Sequence, residues 1–142
     1  MIFTPENAAL VMNGRKTQIR MPLQGEDWWW LFDYTEDGVP KSDIRAVFRC
    51  SGRGSRYRPL YEVGKTYAVQ PGRGKPAIGR IRITQIRRER LADINLNDVP
   101  AEGCGSLGAY ANLWDSIYYG KRTGLRWEAN PEVWALTFEV VV

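Results

Sequence analysis

The segment Gly14-Arg15-Lys16-Thr17-Gln18-Ile19-Arg20 gathers side chains that could do chemistry. Lys16 lies between Arg15 and Arg20, and neighbouring cations favour the neutral amine, which makes it a candidate base. Arg20 is a candidate phosphate ligand, and Arg15 and Thr17 are candidate binding groups beside it. The chain contains no histidine. That excludes Ser-His-Asp and Cys-His catalysis, His metal sites and the commonest general base. The two cysteines, Cys50 and Cys104, are too few for a closed zinc site. In a reducing compartment they are small hydrophobes. Chemistry falls to Lys, Arg, Asp, Glu, Thr, Ser or Tyr, with no cofactor and no metal implied.

Charge is unevenly placed. Residues 45–90 hold thirteen Lys or Arg and two acids, Glu62 and Glu89, a net +11, while the remainder is −7. Fifteen of the twenty cations are Arg, whose planar fork binds phosphate bidentately and stacks on bases. With Tyr57, Tyr61 and Tyr67 among the charges, the stretch suits an RNA or single-strand groove. The competing reading is a solvated strand face with alternating Arg.

The elements that must position these groups are readable in outline. Thr4 caps a helix over 5–13, with Pro5 at its first position and Asn13-Gly14 as its stop. A short strand at Ile2-Phe3 precedes it, and residues 15–20 follow in extended form up to Pro22. Residues 23–44 lack periodicity and read as an inserted loop carrying Trp28, Trp29 and Trp30. Three consecutive Trp cannot all face inward, so they form a lid over the core or a surface for a protein partner. Residues 46–50 read as a strand and 51–58 as a basic, Gly-rich loop. Gly64-Lys65 is a turn before a strand at 66–70, and 71–76 is a second loop. Residues 79–86 alternate Ile81, Ile83 with Arg80, Arg82, the period of a half-buried strand. Asn97 or Asp98 opens a helical turn, Ser106 caps a longer helix ended by Gly120, and Trp134, Leu136, Phe138 and Val140 share a strand face. At 142 residues this is one domain, 1–142, which buries ~68% of its unfolded surface. The longest apolar run, Trp28 to Phe32, is far below the ~20 residues of a membrane span. The N-terminus has no signal-peptide pattern, so a cytoplasmic protein with no membrane contact is expected. Strands outnumber helices, which points to an α+β class: a small mixed β-barrel with flanking short helices.

Two segments carry a resemblance. The first is Gly14 to Arg20 after a short helix. The second runs from Arg88-Glu89-Arg90-Leu91 through Ile94, Asp98 and Ala101-Glu102-Gly103 to Leu113-Trp114-Asp115-Ser116-Ile117 and Trp127-Glu128-Ala129-Asn130-Pro131-Glu132-Val133-Trp134. Together they resemble the ASCH domain family, in particular its phage and prophage versions. The likeness implies a PUA-like barrel with a central cleft and a role in binding RNA or a modified nucleoside. Some members are hydrolases, acting on N4-acylated cytidine or on RNA. The amidohydrolase members use a Lys, a Thr three residues later and a Glu. Lys16 and Glu102 match the first and last, whereas the Thr position falls on Ile19. Thr17 is the nearest hydroxyl, but two extended residues displace it by ~6.6 Å.

The resemblance thus makes Lys16 and Glu102 the candidate catalytic pair, Glu102 holding the lysine or binding a base edge. A Lys–Glu bridge that merely fastens the first helix to the barrel is the structural alternative. Gln70, Arg73 and Arg80 stand on or beside strands that face the implied cleft. Gln70 offers donor and acceptor to a base, and Arg73 sits in a Gly-rich loop suited to phosphate. Each could equally be a solvated surface residue. Pro71-Gly72-Arg73-Gly74-Lys75 lacks the spacing of a phosphate-cradling Walker loop. Two functions follow: an RNA- or nucleotide-binding module with a cationic cleft, or a metal-independent hydrolase.

Overall fold

The structure is a computed structural model that describes residues 1–23, 28–31, 44–50, 57–120 and 123–142. Helix α1 spans Pro5–Met12. The Thr4 hydroxyl accepts from the Asn7 amide at 3.2 Å, filling one of the donors a helix start leaves open. Gly14, at φ 82°, takes the left-handed turn that sends the chain into strand β1, Gln18–Pro22. Strands β2 (Trp28–Leu31), β3 (Ile44–Cys50) and β4 (Tyr57–Glu62) follow, then β5 (Thr66–Val69) and β6 (Gly79–Arg90). Helices α2 (Asp98–Ala101) and α3 (Leu107–Tyr118) precede the last strand, β7 (Glu132–Val141). The Ser106 hydroxyl caps α3 by accepting from the Ala109 amide.

The chain is α+β. Its strands form two antiparallel sheets, one of order β1-β7-β6-β5 and one of order β2-β3-β4. Ile2 adds a single parallel bridge to Gln70. The expected barrel is corrected on one point: among the described residues no ladder joins the two sheets into a closed barrel. Proline accounts for part of this. β1 ends at Pro22, and β4 carries Pro59 on the edge of its sheet. Neither residue has an N–H to donate to a further strand. The sheets instead pack face to face, with Ile44 and Val47 of β3 against Ile83, Ile86, Trp134 and Leu136. A second core cluster gathers under α1 and a third under α3.

Two strands were hidden in the sequence. Trp28–Leu31 pairs with β3, and Tyr57–Glu62 begins inside the stretch read as a basic loop. A run of like residues gives no period-two signal, and basic residues next to Gly imitate a loop. The remainder of the expected insertion (24–27 and 32–43), the rest of that loop (51–56) and the side chains of Trp28, Trp29 and Trp30 lie outside the described residues. β6 runs four residues past Ile86, paired with β7 to Arg90, and carries a bulge at Thr84, between Ile83 and Gln85. The extra residue keeps Ile86 on the core face with Ile81 and Ile83, and moves Gln85, Arg87 and Glu89 to the opposite face.

Candidate functional site

Period two governs the entry to the site. Lys16, Gln18 and Arg20 are all buried on one side of the chain, while Ile19 and Met21 pack into the core on the other. α2 lies against the polar side, where the Thr17 amide donates to the Ala101 carbonyl at 2.7 Å. Glu102 follows directly as the C-cap of α2. Gly103 then turns the chain at φ 85°, and a Cβ there would come within 3.1 Å of Leu10 and 3.6 Å of Lys16. Glycine is what lets α1, Lys16 and this turn close on each other.

The buried groups form one ion-pair network. Lys16 Nζ donates to the Glu102 carbonyl at 2.8 Å and to its Oε2 at 2.9 Å. Arg20 Nη1 donates to Glu102 Oε1 at 2.8 Å and to Gln18 Oε1 at 3.0 Å. Arg20 Nε and Nη2 donate to Glu89 Oε1, and Nη2 also reaches Asp98 Oδ2 at 3.4 Å. All five guanidinium donors therefore have an acceptor within the fold. Register explains the reach: Arg20 and Arg87 flank Ala135 of β7, whose small side chain lets the long arginine cross toward Glu89. Arg87 and Gln18 both donate to Asp98. Three cations (Lys16, Arg20, Arg87) thus meet three carboxylates (Glu89, Asp98, Glu102). Lys16 is 3% exposed and Glu102 2%. A charge-balanced cluster, hydrogen-bonded except at Arg87 Nε, is the form in which buried charge is tolerated.

Titration follows from these contacts. Burial works against the Arg20 cation, but Glu102 and Glu89 overcome it and raise its pKa. Burial likewise works to raise Asp98, yet hydrogen bonds and charge from Arg87, with Gln18 and Arg20, hold it below the usual carboxylate range. Burial, then the charge of Glu102, pushes the Tyr110 phenol far above its ordinary value. Because Asp98 is depressed in the folded state, its stabilisation is complete above its unfolded pKa of about 3.9 and is lost as pH falls through the folded value. Urea midpoints should stay level on this account down to about pH 5 and decline below about pH 4. Asp98→Asn should shrink that acid limb, and an unchanged limb would remove Asp98 from the explanation.

A surface pocket of about 350 Å³ opens beside the pair, lined by Leu10, Arg15, Pro100, Gly103, Cys104 and Gly105. Burial raises the Cys104 thiol, partly offset by the charge of Lys16. Among the described residues, no group of three or more His, Cys, Asp or Glu side chains is placed to hold a metal ion. Nor is any helix long and apolar enough to cross a membrane.

The structure brings Lys16, Arg20 and Glu102 together, with exposed Arg15 on the pocket rim. Thr17 adjoins them through its backbone. Gln70, Arg73 and Arg80 are elsewhere. β1 and β5 are opposite edges of the larger sheet, and Gln70, just past β5, donates to the Lys75 carbonyl. Arg73 is exposed in its loop, and Arg80 hydrogen-bonds Thr66. Sequence reasoning missed Gln18, Arg87, Glu89 and Asp98 as members of the site. Gln18 was visible as the middle of the alternation 16, 18, 20, whereas the bulge concealed Arg87 and Glu89.

No family model and no curated protein matches this sequence. Solved structures do. A protein of Enterococcus faecalis V583 described under the family model DUF984 superposes with TM-score 0.58 at 16% identity, covering 97% of this chain and 74% of that one. An ASCH domain from Lactobacillus crispatus JV V101 superposes with TM-score 0.62 at 15% identity, covering 95% of this chain and 70% of that one. With no closely similar sequence beside them, these likenesses establish architecture: the chain has the fold of an ASCH domain.

Proposed function

We propose that this chain binds RNA, single-stranded nucleic acid or a modified nucleoside in the cytoplasm, through the pocket beside Lys16 and Glu102. The observation that carries this reading is an open pocket lined by Arg15 and Gly103, the chain neighbours of the buried Lys16–Glu102 pair. Arg20 serves it as the organiser of Glu102 and Gln18. The basic excess of residues 45–90 supports the choice of an anionic polymer, and Arg73 and Lys75 stand exposed with no ion pair among the described residues. Fluorescence anisotropy of a labelled single-stranded RNA across a salt series tests it. Affinity should fall by about 0.7 log units per phosphate contacted for each tenfold rise in salt, and Arg73→Ala should weaken binding and flatten the slope. Absent or salt-independent binding would sink the reading.

A second reading, a metal-independent hydrolase of N4-acylated cytidine or RNA, is favoured by the 2.9 Å Lys16–Glu102 contact beside that same pocket. Ile19 packs into the core, so water is the nucleophile in this reading, with Lys16 as base and Glu102 as its partner. Turnover that Lys16→Ala abolishes without unfolding the chain would establish it.

A further inference from the structure

The larger sheet has one face that is only half covered. Its inner face carries Val69, Ile81, Ile83 and Phe138 under α1 and the smaller sheet. On the outer face, α3 covers Val133 at one end. The other end is open, and β6 delivers side chains to it with period two. There Arg82 stands in one row between Thr66 and Glu139, and Arg80 in the next between Ala68 and Val141. Both arginines are exposed. Arg80 is already held in place: its Nε and Nη2 donate to Thr66 at 3.1–3.4 Å, while Nη1 makes no hydrogen bond among the described residues. A guanidinium fixed in this way loses little freedom when its open edge meets an anion. Arg82 makes one 3.6 Å contact with Glu139, with side chains 44% and 58% exposed, so this pair holds it weakly. Further along β6 the arginines are engaged, Arg87 by Asp98 and Arg88 and Arg90 by Glu132. Arg73 and Lys75 are exposed in the loop joining β5 to β6, and Lys65 is exposed just before β5. Around the open end, five cations stand with Glu139 as the carboxylate on the sheet face. A face that is merely solvated mixes the two signs more evenly.

We infer that the open end of this outer face is the track for the phosphate backbone of a single-stranded nucleic acid, with Arg80 and Arg82 as its paired phosphate ligands. Successive outward side chains of β6 are about 6.6–6.8 Å apart, so the two guanidinium groups meet neighbouring phosphates of one strand. Arg73 and Lys75 lie at the hairpin end of the track. Its other side borders the start of β1, where the Phe138 amide donates to the Thr17 carbonyl next to Lys16. This inference rests on the nucleic-acid reading above and names where the backbone lies, on a surface separate from the pocket beside Lys16.

The probe is a labelled oligouridylate, titrated with the full chain across a salt series. The double variant Arg80→Gln, Arg82→Gln removes two phosphate contacts from exposed positions, so its thermal midpoint should stay near that of wild type. Its salt slope should flatten by about 1.4, and its affinity at 0.1 M salt should fall about 25-fold, while the affinities extrapolated to 1 M salt converge. Glu139→Gln releases Arg82 and removes the repelling carboxylate, so it should bind more tightly than wild type. Arg90→Gln also removes one exposed cation, but beside Glu132 and away from the track, and should change binding little. Wild-type binding by the double variant, or an equal loss per charge in Arg90→Gln, would overturn the track while the RNA reading stands. If wild type binds no RNA at any salt, both fail together.

Discussion

Replacing Arg20 with Met should cost about 3–5 kcal/mol of folding stability, the usual penalty for breaking a buried charge cluster from one side. The side chain of Arg20 is completely buried and supplies donors to Gln18, Glu89, Asp98 and Glu102 at once. Met fills a similar length but leaves three carboxylates facing two cations. Glu102 retains Lys16 and Asp98 retains Arg87, whereas Glu89 keeps only a 3.9 Å approach from Arg87 Nη2. Arg20→Lys should restore little, because an ammonium cannot span four acceptors arranged around a planar fork. Urea unfolding of the two variants reads the effect as a lower midpoint at unchanged slope. A loss below about 1 kcal/mol, typical of exposed pairs, would show that the cluster is far wetter than its geometry implies.

Trp134→Ala should be comparably severe, at about 3–5 kcal/mol. Trp134 is 0% exposed on the inner face of β7, where the two sheets meet. Its loss removes the largest side chain in contact with Ile44 and Val47 of β3. Because the smaller sheet joins the larger through this cluster rather than through a ladder, β3 amides should lose hydrogen-exchange protection before those of β6 and β7. Uniform loss across both sheets would mean that the sheets unfold as one unit and that the join is stronger than a side-chain contact.

The termini of α1 and α3 were readable because capping chemistry is local: Thr4-Pro5, Asn13-Gly14 and Ser106 each act within four residues of their position. β7 was readable because Trp134, Leu136, Phe138 and Val140 recur at period two, with polar Thr137 and Glu139 between the last three. β2 was not, since Trp28, Trp29 and Trp30 carry no polar positions to set a phase. The Thr84 bulge was equally silent, and it alone decides that Arg87 and Glu89 join the site instead of the core. Within the site, the 86-residue separation of Lys16 and Glu102 lies beyond any periodicity. Their pairing was legible only through the family resemblance of the two segments that hold them. The role of Arg20 changed character on folding: a candidate phosphate ligand in the sequence has every donor committed to Gln18, Glu89, Asp98 and Glu102.

The most direct test of nucleic-acid binding is to incubate the chain with labelled single-stranded RNA at two salt concentrations and run each sample on native and denaturing gels. A binding module gives a shifted band of intact RNA that fades at the higher salt. No shift at either salt would contradict it, and RNA shortened by wild type but not by Lys16→Ala would replace a binding module with a nuclease.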